Sequence, residues 1–438
     1  MSAYLPHHPG RRYGHGALAA QAPAFEPAHA RLVWTEYAYL AALAVALLVV
    51  VDPLGAGLAA DTVVKHLALL AAVPAVALTL LGRGAVHARA AARPIGAPLG
   101  VAWPLAALAL FIVAGSLYAR LGLDIRNTFL NVGLYVAMMF CAAAMVLQSD
   151  DPGALARAYL RLLLAGALVM SALLVASYGK RQVYHEQIFL VIPMAALAFV
   201  AARRALARWA GALFFLAMAW FSHKYTSYLI GVLALTYLGA LVWLPRVLRA
   251  PGPGAVASAY WGVVAAIAAV GALAALALRG ELELPSGNPE YRLQTYWAAW
   301  DRFADSPWWG TGFAVESVEK FTGFTIGIAG NVLPTHSDVL DIAAHGGLAA
   351  VLLWALGLWR VGALAHRALL RPAQLDHPWA AQAHTLALLS LAAVLTYAFN
   401  PILLQPSMAA LVWTNLGMLL GLALCAGGPA PRLAGGRE

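Results

Sequence analysis

Residues 279–337 read RGELELPSGNPEYRLQTYWAAWDRFADSPWWGTGFAVESVEKFTGFTIGIAGNVLPTHS. This polar stretch lies between two long apolar runs, 255–278 before it and 338–363 after it. Runs of about 20 apolar residues match the hydrocarbon thickness of a bilayer. The stretch is therefore read as the one sizeable loop of an all-α polytopic membrane protein.

Composition agrees. Of 438 residues, 62% are hydrophobic and 11% charged, and the mean hydropathy is +0.75. Soluble domains carry about 25% charged residues, so a soluble fold is excluded. The only cysteines, Cys141 and Cys425, each sit in an apolar run, which excludes a disulfide framework or a CxxC metal site. A net charge of +9 in such a chain points to cytoplasmic loops and lipid headgroups, and no nucleic-acid partner is expected.

Outward from the loop, spans are expected at 33–51, 63–81, 99–118, 128–147, 160–178, 187–202, 209–222, 226–244, 255–278, 338–363, 380–398 and 404–426, about twelve in all. The first run starts too late and is too long for a signal-peptide core, so it is expected to be retained. Most of the 28 Lys and Arg, including Arg11, Arg12, Arg203, Arg204 and Arg360, fall on one side if the N-terminus is cytoplasmic. Both termini are then expected inside. No internal repeat or low-complexity tract is evident.

Some cations break this trend. Lys65, Arg120, Arg126, Lys180, Arg181 and Lys224 fall on the outer side, most densely in SYGKRQVYHEQ, residues 177–187. Cations gathered at the outer end of a bundle suggest an anion site at the membrane surface. Tyr178, Tyr184, Trp308 and Trp309 are candidate contacts for sugars or headgroups beside it, although interfacial aromatics are commonly anchors.

Within the loop, Asn288-Pro289-Glu290 is a helix start: an Asn cap, Pro in the first position and an acid in the first turn. The following residues put Leu293, Tyr296, Trp297, Trp300 and Phe303 on one side and Gln294, Asp301, Arg302 and Asp305 on the other. The result is an amphipathic helix suited to an interface, ended by Ser306-Pro307. Arg292 stands at the margin of the stripe, where a guanidinium can meet a phosphate. Farther on, Thr335 and Asp338 form a capping-box pattern, so a membrane helix is expected to begin at His336, with Asp338, Asp341 and His345 along one face. A helix N-terminus disfavours an imidazolium, which keeps His336 neutral and able to accept a proton. A metal shared by His336, His345, Asp338 and Asp341 would draw ligands from opposite ends of two turns, so no metal or other cofactor is expected.

The segments YRLQTYWAAWDRFADSPWWGTGF (291–313) and PTHSDVLDIAAHGGLAAVLL (334–353) resemble the shared region of bacterial O-antigen ligases and polymerases. The shared pattern is an arginine, a Trp-containing helix, a Pro–small–Gly-x-Gly turn and a histidine opening the next membrane helix. Departures are Ser337 where the family usually has Asn, His345 where it usually has an acid, and His185-Glu186-Gln187 in place of a common upstream Asn. The resemblance implies a cytoplasmic segment 1–32, spans over 33–278, a periplasmic loop 279–337, spans over 338–426 and a cytoplasmic tail 427–438. It also implies an inner-membrane, metal-independent, inverting glycosyltransferase with His336, Arg292 and Arg181 catalytic. Lys180, Lys224, His185, Asp338, Asp341, Tyr184 and Trp308 are the expected substrate contacts. The donor is expected to be an undecaprenyl-diphosphate-linked glycan and the acceptor lipid A–core. Extension of the glycan on its carrier is the alternative within the family, and transport of a lipid-linked sugar is the alternative outside it. Transport is disfavoured because the polar groups gather at one surface.

Overall fold

The computed structural model describes residues 33–51, 71–73, 76, 96–118, 128–176, 288–312, 337–375, 377–399, 402–403 and 406–427, with scattered helical positions between 210 and 231. Its helices are α1 (Trp34–Val51), α2 (Ala97–Tyr118), α3 (Thr128–Gln148), α4 (Pro152–Ala176), α5 (Asn288–Asp305), α6 (Asp338–Ala365), α7 (Ala380–Phe399) and α8 (Pro406–Gly427). A π-turn, His366–Leu370, extends α6. Among the described residues no strand occurs, and five helices are long and apolar enough to cross a membrane: α2, α4, α6 with its π-turn, α7 and α8. The runs expected at 187–202 and 255–278 lie outside the described residues. Those at 63–81, 209–222 and 226–244 are described at a few positions only, all helical.

The described core forms around α8. Gly417 and Gly421, one turn apart, bring its backbone against α3: a Cβ at Gly417 would stand 2.2 Å from the Met139 carbonyl oxygen, and one at Gly421 2.6 Å from Val146 Cβ. Small residues spaced by four allow this approach where lipid, as apolar as leucine, provides no hydrophobic drive. Polar side chains join the same region. Tyr39 of α1 donates to the Met138 carbonyl (3.2 Å) and shares a hydrogen with Thr414 (2.8 Å). Tyr159 of α4 donates to the Leu411 carbonyl (3.0 Å), and Asn415 donates to Leu386 O and Ser390 Oγ on α7.

α2 bends where Pro104 removes a helical N–H, with Ala102 off helical geometry at φ −100, ψ 21. Arg360 of α6 donates to the carbonyls there, Nε to Val101 O at 2.7 Å and Nη2 to Gly100 O at 3.0 Å. This cation, counted from sequence as a cytoplasmic charge, holds the start of α2 against the end of α6.

Two helix starts differ from expectation. α4 begins at Pro152, well before the run expected from 160, because Asp151 caps it by accepting the Ala154 N–H at 2.8 Å. α6 begins at Asp338 and not at His336. Its cap is Ser337, whose hydroxyl accepts from the Leu340 N–H at 3.3 Å. The capping-box expectation fails because the Asp338 carboxylate accepts bonds from residues elsewhere in the chain.

Candidate functional site

Asp338 is buried at the first residue of α6. Its Oδ2 accepts the N–H of Ile402 at 2.6 Å and of Leu403 at 3.1 Å, both in the connection between α7 and α8. One carboxylate thus ties the start of α6 to the turn between the last two helices, two residues after His336 in the chain.

Farther along, α6 breaks. Gly347 has φ 62 and ψ −164, a conformation that side-chain-bearing residues rarely adopt. The residues PWWGTG after α5 dock into the break. Thr311 N and Gly312 N donate to the carbonyls of Ala344 and His345, both at 3.0 Å, while Leu348 N and Ala349 N donate to Pro307 O at 2.7 Å and Trp308 O at 3.2 Å. The exchange is reciprocal, with two α6 carbonyls and two α6 amides all bonded to the turn. Closest approach requires glycine on both partners: a Cβ at Gly310 would lie 2.2 Å from the His345 carbonyl carbon, and one at Gly347 2.4 Å from that of Trp308. His345, buried, completes the clamp, its Nδ1 2.8 Å from the Gly312 carbonyl. A carbonyl can only accept, so Nδ1 carries the hydrogen.

Above this clamp α5 packs on α6 through Ala299 against Ala344 and Leu340. The face in contact is made of small residues, Thr295 and Ala299, and differs from the expected aromatic stripe, of which Trp297 and Trp300 remain exposed. Arg292 is half-buried on the flank and hydrogen-bonds Tyr296. Burial pushes the Tyr296 hydroxyl above its ordinary range, the bonded Arg292 guanidinium pulls it down, and Asp341 pushes it up. Tyr296 therefore feels both Arg292 of its own helix and Asp341 in the first turns of α6. Burial lowers the Arg302 guanidinium, against a raising effect from Asp305.

The structure thus pairs Arg292 with Tyr296, within reach of the Asp341 charge. Asp338 faces the α7–α8 connection and His345 faces the 307–312 turn, so the three polar residues expected along one α6 face serve different neighbours. Trp308 is exposed on the turn. His336, Arg181, Lys180, Lys224, His185 and Tyr184 lie outside the described residues, as does Tyr178. Among the described residues no group of three or more His, Cys, Asp or Glu is placed to hold a metal ion. Sequence reasoning missed Tyr296 as the partner of Arg292 and Gly347 as the break. Spacing carried the first signal, since Tyr296 is one turn after Arg292, and the Gly346-Gly347 pair carried the second.

Compared with known proteins, the chain matches no family model and no curated protein sequence.

Proposed function

We propose that the protein is a glycosyltransferase of the bacterial inner membrane that moves a glycan from undecaprenyl diphosphate to lipid A–core at the periplasmic surface, in the manner of the O-antigen ligases its loop resembles. In this reading the chain crosses the membrane about twelve times with both termini cytoplasmic, and residues 279–337 form the periplasmic loop. The observation that carries it is that Tyr296 hydrogen-bonds Arg292 and feels the charge of Asp341, close to the helix start that follows His336. An anion-binding fork and a candidate base then share one end of the bundle.

A sugar diphosphate already has a competent leaving group. What the reaction needs is a proton acceptor and compensation for charge growing on the departing diphosphate. Neutral His336 takes the acceptor hydroxyl proton as its oxygen bonds to the anomeric carbon, and the carbon–oxygen bond to the diphosphate breaks with its electron pair leaving on phosphate. Arg292 and Arg181, with Lys180 and Lys224, hold that charge. A guanidinium matches two phosphate oxygens at once, and losing one such donor costs about 2.7–4 kcal/mol of transition-state stabilisation. General base catalysis by histidine adds about 10²–10⁴-fold. A single displacement inverts the anomeric centre. His185, Tyr184, Trp308 and Asp341 line the approach of the sugars.

The test is transfer by the purified full-length protein, with lipid-linked glycan and lipid A–core in the absence of divalent metal. Glycan on lipid A–core, lost in His336→Ala and in Arg292→Ala, supports the reading. Longer carrier-linked chains would make it a polymerase, and unchanged substrates would reject an enzyme altogether.

A further inference from the structure

Three exposed tryptophans, Trp297, Trp300 and Trp309, accompany Trp308 and take no part in the proposed chemistry. On α5, Thr295 and Ala299 are buried against α6, while Trp297, Trp300 and Ala304, spaced by three and four, are exposed on the opposite side. Trp308 and Trp309 on the following turn are 66% and 69% exposed. We propose that this face of α5 and the Trp308–Trp309 turn is seated in the headgroup–acyl boundary of the bilayer, as an interfacial collar on the outer end of α6.

Two observations identify lipid as the occupant. First, the surface is continuous with a lipid-facing one. α5 covers Leu340 and Ala344 before the break at Gly347; beyond it, a row at every fourth position runs from Leu348, held by the turn, to Leu352 and Leu356, both exposed, with Trp359 73% exposed beyond them. Among the described residues α5 and its turn therefore adjoin side chains that meet acyl chains, and the outward face of α5 meets the same medium. Second, the depth agrees. Beyond the break at Gly347, α6 and its π-turn run from Leu348 to Leu370. At 1.5 Å per residue that stretch is about 35 Å long, close to a hydrocarbon core of about 30 Å. The turn is bonded at its first two residues, Leu348 and Ala349, and so lies at the end of the span, the interfacial level that tryptophan favours.

Charge decides the kind of seat. The exposed ionisable residues of α5 beside this face are Asp301 and Asp305, while Arg292 and Arg302 are half-buried. The outward face itself, at Trp297, Trp300 and Ala304, carries no cation, and the seat is an apolar one. The collar also fixes the level of Arg292, on the flank of the same helix.

The experiment uses the full-length protein in phosphatidylcholine vesicles, comparing wild type with Trp297→Phe/Trp300→Phe/Trp308→Phe/Trp309→Phe, so that the difference in emission isolates these four of the 14 tryptophans. The expected result is strong quenching of that difference by lipids brominated near the headgroup end of the chain. Quenching by chain-terminal bromines or aqueous iodide should be weaker, and part replacement by phosphatidylglycerol should leave the pattern unchanged. A difference quenched by iodide and spared by brominated lipid would overturn the proposal. So would one shielded from both in a protein that native mass spectrometry shows as a dimer. A second measurement keeps every tryptophan: a spin label at Ala304→Cys, with Cys141 and Cys425 replaced by Ala, should be relaxed more by oxygen than by a water-soluble nickel chelate. The reverse order would overturn the proposal as well.

Discussion

The α3–α8 interface and the joint between α6 and the 307–312 turn both rest on glycines, yet they use them oppositely. At α3–α8 the helical ladders stay closed, and Gly417 and Gly421 simply remove side chains so that two intact helices touch. At the joint, Gly347 opens the ladder, and the released carbonyls of Ala344 and His345 and amides of Leu348 and Ala349 bond to the turn. A backbone group without a partner costs several kcal/mol in a membrane, so the open ladder persists only because its bonds are exchanged in full. Close packing of whole helices builds the body of the bundle. Backbone exchange builds the joint that holds the turn after α5 against α6.

The comparison can be broken most severely at Asp338. Asp338→Ala orphans the buried amides of Ile402 and Leu403, at about 1–3 kcal/mol each, so roughly 2–6 kcal/mol of stability is lost. Glycan transfer should fall with it, while Asp338→Asn, which keeps an acceptor, should recover most of the unfolding midpoint. Gly347→Ala comes next. The left-handed backbone costs about 1–2 kcal/mol and the overlap with Trp308 backbone adds a comparable amount, about 2–4 kcal/mol together. Transfer should fall further than the unfolding midpoint, because the damage is confined to the joint.

Gly417→Ala sharpens the contrast from the other side. Its Cβ meets Met139 backbone, an overpacking of about 1–3 kcal/mol. The unfolding midpoint should drop while the KM for the lipid-linked donor holds. The smallest effect belongs to Arg157→Ala, which removes an exposed 3.4 Å ion pair with Asp151 worth under about 1 kcal/mol, and neither stability nor transfer should move measurably.

Much of the body was legible from hydropathy. The runs at 33–51, 99–118, 128–147, 380–398 and 404–426 are helices with ends displaced by two residues or fewer. The Asn288-Pro289 start correctly bounded α5 at Asn288–Asp305. The joint was not legible, for a physical reason: the apolar run continues through His345-Gly346-Gly347, and hydropathy carries no information about φ. Capping was misread for a related reason. Thr335 and Ser337 are both plausible caps, and the choice rests on the long-range bonds that Asp338 makes to residues 402 and 403. The α5 stripe reads as a surface for the membrane interface, and the sequence carries no sign of which side packs on α6: Ala299 makes that contact and leaves Trp297 and Trp300 exposed. From sequence Arg360 counts only as a cytoplasmic charge, because spacing cannot reveal that the bend at Pro104 places the Gly100 and Val101 carbonyls within its reach.

The central claim, that α6 is broken at Gly347 and its ladder completed by the turn, is tested most directly by residue-resolved hydrogen exchange on the full-length protein in lipid. The amides of Thr311, Gly312, Leu348 and Ala349 should exchange slowly in wild type and lose protection together in Gly347→Ala, while the α3–α8 amides keep theirs. If Leu348 and Ala349 stay protected in that variant while Thr311 and Gly312 exchange freely in wild type, α6 is a continuous helix and the account is wrong.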